Sequence, residues 1–282
     1  MPRPSPESLR LAQSWRLALL ETPPRGHAGA RLGRGTGASL EFQDRRTYAL
    51  GDDVRHLDWR AYARTDQWLV RQYREEILPR VEILLDVSRS MAIDAEKAQA
   101  AVDVVALLSI AAQNEGFHVV IAKAGDVPEL VDPARFEATG AEFEGREPWT
   151  ACLSSALGSL RRGSMRVLVS DFLFPHDASA LVRPIAAQGG GLALIQILGR
   201  TDSAPEVGAA LRLTDVESGA TQDLVLDRRS VERYQARLSR LTDALEGECR
   251  RAGARFVSCG PDLDLGTACR THLAPAGILS AG

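Results

Sequence analysis

The chain has 282 residues, 45% hydrophobic and 25% charged, which suits one large globular domain or a domain with an appendage and excludes a disordered chain. Its net charge of −3 gives no ground to expect nucleic acid as a partner. No apolar run approaches the ~20 residues that span a bilayer, and the opening Met1-Pro2-Arg3-Pro4-Ser5-Pro6 lacks the apolar centre of a secretory signal. A cytoplasmic location without direct membrane insertion is therefore expected.

Helical spacing runs from Ser8 to Leu20, with Leu11, Trp15, Ala18 and Leu19 on one side. Pro23-Pro24 stops it, and the glycine-rich stretch from Gly26 to Gly37 reads as a loop or linker. From Leu40 to about Arg80 the composition is charged and aromatic (Trp59, Tyr62, Trp68, Tyr73), favouring extended segments and turns over long helix. A regular rhythm then begins. Val81 to Leu85 is a short apolar strand, followed by a helical pattern from Glu96 to Gln113 that is apolar nearly all round and so expects burial on most sides. Gly116 ends it and Phe117 to Ala122 forms the next strand.

A charged, Pro-containing loop leads to Thr150 and a helix through Leu160. Arg166 to Ser170 and Leu192 to Leu198 are further strands, flanking a helix from Ala178 to Ala187. Leu211 to Leu226 reads as a hairpin turning at Glu217-Ser218-Gly219, then comes an amphipathic helix from Ser230 to Arg251 and a last strand from Arg255 to Ser258. Short apolar strands alternating with helices predict an α/β fold with a doubly wound, mainly parallel sheet. The expected division is an irregular N-terminal segment, 1–80, and an α/β domain, 81–282. Cys152, Cys249, Cys259 and Cys269 show no CxxC spacing and read as free buried thiols.

Chemistry concentrates at Leu84-Leu85-Asp86-Val87-Ser88-Arg89-Ser90-Met91. An apolar run ends in a carboxylate and is followed by two hydroxyls at alternate positions, just before a helix. One anionic and two neutral oxygens on a strand-to-helix turn suit a hard divalent cation, Mg²⁺ or Mn²⁺. Zinc-type thiolates and imidazoles are missing from the turn, as are the glycines of a phosphate cradle. Asp171 ends Val167-Leu168-Val169-Ser170 in the same manner, and Thr150 opens the intervening helix. If the two strands are neighbours, Asp86, Ser88, Ser90, Thr150 and Asp171 converge on one crevice at the carboxyl edge of the sheet. A helix cap is the alternative use of the Asp86 turn.

These five residues resemble the metal-ion-dependent adhesion site of von Willebrand factor type A domains. A second block, Tyr48-Ala49-Leu50-Gly51-Asp52-Asp53-Val54-Arg55-His56-Leu57-Asp58-Trp59-Arg60 with Ala63-Arg64, resembles the signature of domain-of-unknown-function family 58. In that family the signature precedes a von Willebrand A-like domain, and members often accompany MoxR-type AAA+ ATPases. The resemblance implies a non-enzymatic protein-interaction module. Its bound metal takes a partner's carboxylate, and the partner is a MoxR-type ATPase. Direct ligation is expected from Ser88, Ser90 and Thr150, with Asp86 and Asp171 direct or through water. Of the signature, Gly51, Asp52, Asp53, Arg55, Asp58, Trp59, Arg60 and Arg64 read first as an ion-pair network fixing the N-terminal segment, and second as partner-binding residues.

Two alternatives remain. A metal-dependent phosphohydrolase would use Asp86 as nucleophile, but Ser88 stands where a second acid is needed. A structural subunit would keep the metal site only as a vestige. His176 follows Asp171 closely and reads as a surface residue.

Overall fold

Helix α1 (Pro6–Leu11) is capped by the Ser5 hydroxyl, which accepts from the Ser8 N–H, and carries a proline where no N–H is needed. A short 3₁₀ turn, Ala12–Ser14, leads into strand β1 (Trp15–Leu17). The helical spacing from Ser8 onward therefore does not continue through Trp15. There the backbone pairs antiparallel with the far end of the chain, Trp15 opposite Ala281 and Leu17 opposite Leu279. Long-range pairing overrides local periodicity at this point.

The computed structural model describes residues 1–18, 40–49, 57–75, 80–188, 190–208, 210–214, 221–225, 227–261 and 264–282, with 40–46, 71–75, 210–214 and 221–225 as backbone alone. The glycine-rich stretch and the 217–219 turn lie outside them. Residues Met1–Thr22 and Pro79–Gly282 form one compact unit and Pro23–Leu78 another.

In the smaller unit, β2 (Leu40–Thr47) and β3 (Leu69–Glu75) pair antiparallel, with an irregularity between Phe42 and Asp44. Between them lies helix α2 (Trp59–Thr65), ended by Asp66 in the left-handed conformation (φ 54°).

The larger unit continues with β4 (Arg80–Asp86), the long helix α3 (Ala95–Asn114), β5 (His118–Ala124), β6 (Glu129–Val131) and α4 (Pro133–Thr139). Next come α5 (Trp149–Gly158), β7 (Met165–Ser170), α6 (Ala178–Ala186), β8 (Leu192–Ile197) and α7 (Arg200–Ser203). The hairpin β9 (Ala210–Thr214) and β10 (Thr221–Val225) precedes α8 (Arg228–Ala252), β11 (Arg255–Cys259), α9 (Leu265–Ala268) and β12 (Leu279–Ala281). Both β6 and α4 fall in the stretch read from sequence as loop; each is too short to show a period.

Six strands form one sheet in the order β11-β8-β7-β4-β5-β6, parallel except for the edge strand β6. A mainly parallel sheet flanked by helices is the architecture expected. The chain leaves β4 toward β5 and β6, then returns to start β7 on the other side of β4. That reversal opens a crevice at the carboxyl ends of β4 and β7.

Alternation along β4 divides the core. Val81, Ile83 and Leu85 pack in one cluster with α3, and Leu84 packs in a second with α5, α6 and α8. Residues from α1, β1, α4 and α9 join the first cluster. Helix α3 thus lies between the sheet and a further layer, and this is why it is apolar on nearly every side. Among the described residues no helix is long and apolar enough to cross a membrane.

Candidate functional site

Asp86 ends β4 opposite the last residues of β7, and its carboxylate is 1% exposed. Oδ1 accepts from the Ser88 backbone N–H at 2.9 Å, and Oδ2 accepts from the Ser170 hydroxyl at 2.6 Å. Burial pushes the Asp86 pKa up to about 7, the nearby charge of Asp171 adds to the rise, and the Ser170 and Ser88 hydrogen bonds oppose it.

Ser88 is extended (φ −64°, ψ 157°) and opens a 3₁₀ turn, Arg89–Ala92. Its hydroxyl caps nothing. Instead, Ser88 Oγ lies 2.9 Å from Ser90 Oγ. The cap of α3 is Asp94, which accepts from the Glu96 N–H, so the capping use of the Asp86 turn is not the one adopted. The turn is braced from the side: the Gly145 N–H donates to the Val87 carbonyl at 3.1 Å, and the Arg89 N–H donates to the Gly145 carbonyl at 3.2 Å. A Cβ at Gly145 would sit 3.2 Å from that Val87 oxygen, so glycine permits the close approach.

Asp171 follows β7 directly and is 2% exposed. Oδ1 accepts from the Leu173 N–H at 2.9 Å, and Gln196 of the neighbouring β8 donates to its backbone carbonyl. The chain then turns through Phe172 in the left-handed region (φ 55°). A buried aromatic residue holds that conformation because its ring packs edge-on to Trp149 at 6.0 Å and its N–H donates to Ser170 Oγ.

Four of the five expected ligands are thereby gathered: Asp86, Ser88 and Ser90 on one turn, with Asp171 close enough to act on Asp86 by charge. Thr150 is exposed in the first turn of α5, its carbonyl accepts from Ser154, and among the described residues no hydrogen bond joins its side chain to the other four. His176 is half-buried, with Nδ1–H donating to the Phe174 carbonyl at 2.8 Å.

Three residues of this region carry no mark in the motif. Ser170 binds Asp86, as described. Lys97 is buried on α3, and its ammonium donates to Asp171 Oδ2 at 2.6 Å and Asp202 Oδ2 at 2.8 Å. Burial works to lower the Lys97 pKa, but the charges and hydrogen bonds of Asp171 and Asp202 outweigh it and raise it. A lysine inside a helix apolar nearly all round is the signal that could have revealed it. Asp202, 105 residues further on, offers no comparable signal.

The donor set is compatible with a hard cation. Among the described residues no three or more His, Cys, Asp or Glu side chains form a cage for a metal, so hydroxyls would have to do the holding. Ligand bonds of ~2.0–2.1 Å at right angles put neighbouring oxygens about 2.9–3.0 Å apart. The Ser88–Ser90 pair stands at 2.9 Å.

Of the family signature, Gly51, Asp52, Asp53 and Arg55 lie outside the described residues. Asp58 is the N-cap of α2, accepting from the Arg60 and Ala61 N–H groups at 3.1 Å each. Arg64 donates to the Arg60 carbonyl. Trp59 is 59% exposed, and its ring meets Tyr62 and Trp68 edge-on at 6.5 and 6.1 Å. The four cysteines are free and buried, and burial pushes the thiols of Cys249 and Cys259 up to about 12.

An α/β protein with a hydroxyl-and-carboxylate cluster at the reversal of a mainly parallel sheet is the class that fold and site define. The chain belongs to the DUF58 family, described as proteins of unknown function, whose model matches residues 44–243. It is similar to uncharacterized proteins of Mycobacterium tuberculosis and Mycobacterium bovis, each 28% identical over 255 residues, spanning 84% of this chain and 79% of the relative. Among solved structures it matches an aerotolerance-related membrane protein from Bacteroides fragilis (TM-score 0.41, 14% identity, 68% of this chain and 94% of that one). It also matches BatB from Bacteroides thetaiotaomicron (TM-score 0.33, 11% identity, 64% and 90%).

Proposed function

We propose that this protein is a non-enzymatic interaction module with a doubly wound, von Willebrand A-like domain that docks a carboxylate of a protein partner through Mg²⁺ or Mn²⁺. Ser88 and Ser90 would hold the ion together with Thr150, with Asp86 and Asp171 serving it directly or through water. Once bound, the ion supplies positive charge and an open coordination position. The observation that carries this reading is the Ser88–Ser90 hydroxyl pair, 2.9 Å apart at the switch point of the sheet. The partner class is a MoxR-type AAA+ ATPase, taken from the family resemblance, with a role in assembling or activating another complex in the cytoplasm.

The phosphohydrolase reading fares worse. Asp86 is 1% exposed, and both its oxygens already accept hydrogen bonds. Each of these blunts a nucleophile.

Two measurements test the proposal: Mn²⁺ binding followed by electron paramagnetic resonance, and capture of a MoxR-type ATPase with and without chelator. The expected results are saturable Mn²⁺ binding lost in Ser88→Ala/Ser90→Ala, and capture that chelator abolishes. Absence of Mn²⁺ binding by the unaltered protein even with its partner present, or capture indifferent to chelator, would sink it.

A further inference from the structure

The metal reading leaves the most constrained cation of the region unused. Lys97 is the third residue of α3, in the first turn, where the helix dipole disfavours positive charge. It is also 3% exposed, so neither local propensity nor solvation explains it. Its partners do. Beyond Asp171 at 2.6 Å and Asp202 at 2.8 Å, the ammonium donates to the Ser90 carbonyl at 3.2 Å. Three N–H donors meet three acceptors, from the hydroxyl-bearing turn, the end of β7 and the segment after β8.

The acceptors are themselves held. Asp171 Oδ1 takes the Leu173 N–H, and Asp202 Oδ2 also takes the Gly199 N–H at 2.9 Å. Asp202 is tied to α8 as well, through its carbonyl and the Tyr234 hydroxyl. Lys97 thus sits within hydrogen-bond distance of Ser90 and Asp171, two of the residues expected to serve a metal, and it occupies one oxygen of the carboxylate among them. Two carboxylates, buried Asp171 and half-buried Asp202, face this one ammonium.

We propose that Lys97 is a tethered cation that withholds Asp171 from the divalent ion. The ion is left to Ser88, Ser90, Thr150 and Asp86, and its binding is weak until a partner's carboxylate supplies the missing anionic ligand. This inference rests on the metal-docking reading and adds its regulation: ion and partner bind as a unit because neither alone completes the ligand set. Lys97 is a positioning residue, acting through Asp171. A lysine that merely supports the site would, on removal, loosen the ligands and weaken metal binding. A lysine that withholds Asp171 would, on removal, strengthen it.

The test is Mn²⁺ affinity of the full chain, without partner, for the unaltered protein and Lys97→Gln. Glutamine keeps a hydrogen-bond donor and removes the charge. Because affinity follows the charge count of the ligands, the variant is expected to bind Mn²⁺ at least about tenfold more tightly. If Lys97→Gln does not fold, as judged by circular dichroism, Lys97→Gln/Asp202→Asn removes one of the two orphaned charges and carries the same expectation. Asp202→Asn alone keeps the Lys97–Asp171 pair and is expected not to tighten binding. Equal or weaker Mn²⁺ binding in the lysine variant overturns the inference and leaves the docking proposal standing. No Mn²⁺ binding by either protein, even with the partner present, overturns both.

Discussion

Asp86→Asn exchanges a buried carboxylate for a neutral group of the same shape whose amide can still accept from the Ser88 N–H and donate toward Ser170. The folded-state pKa of Asp86 is raised from 3.8 to about 7, chiefly by burial and then by the charge of Asp171. Between those values the folded protein holds a proton that the unfolded chain has released. Stability therefore falls as pH rises through this window and levels off above it. At 1.36 kcal/mol per unit the whole penalty is about 4 kcal/mol, of which about 3 kcal/mol lies between pH 5 and pH 8. The asparagine variant carries no such penalty. In chelator, its advantage over the unaltered protein should grow by about 3 kcal/mol across that range, or roughly 6–12 °C in Tm at 2–4 °C per kcal/mol for a unit of this size. Thermal and guanidinium unfolding at pH 5 and pH 8 would measure it. A difference between the two proteins that is the same at both pH values would refute the argument, because it would mean that Asp86 titrates alike folded and unfolded.

Two further expectations concern the scaffold. Glu82 and Arg166, opposite one another on β4 and β7, form a buried ion pair at 3.3 Å, with Glu82 also accepting from the Arg161 N–H. Glu82→Ala strands the arginine and should cost about 3–5 kcal/mol in denaturant unfolding, with most of the loss recovered when Arg166→Met is added; no recovery would mean that the pair does not act as a unit. In the smaller unit, Asp58→Ala removes the cap of α2 and should cost about 1 kcal/mol or more. An unchanged near-ultraviolet signal from Trp59 and Trp68 together with unchanged stability would count against that role.

Most of the larger unit was legible because each strand and helix repeats a period within a few residues. The apolar run ending in Asp86, its counterpart ending in Asp171, and the all-round apolar α3 are local patterns, and the structure realises them as β4, β7 and a helix packed between two layers. Where local pattern and distant pairing compete, pattern fails. Trp15 to Leu17 carry helical spacing, yet join β12 because Leu279 and its neighbours offer a ladder that sequence separation hides. The segment from Glu129 to Thr139 was missed for another reason: a three-residue strand and a seven-residue helix hold too few repeats to show a period.

For the site, the sequence by itself determined the chemistry of the cluster: a carboxylate and two hydroxyls on one turn, and a second carboxylate at another strand end. Spacing along the chain dictates these, since a turn leaves residues two apart on the same side. Only the tertiary structure decided that β4 and β7 are neighbours and that Lys97 and Asp202 meet at Asp171. Strand order and the packing of α3 over the sheet control those distances, and both arise from burial of apolar faces, which does not record in sequence which charged groups it will bring together.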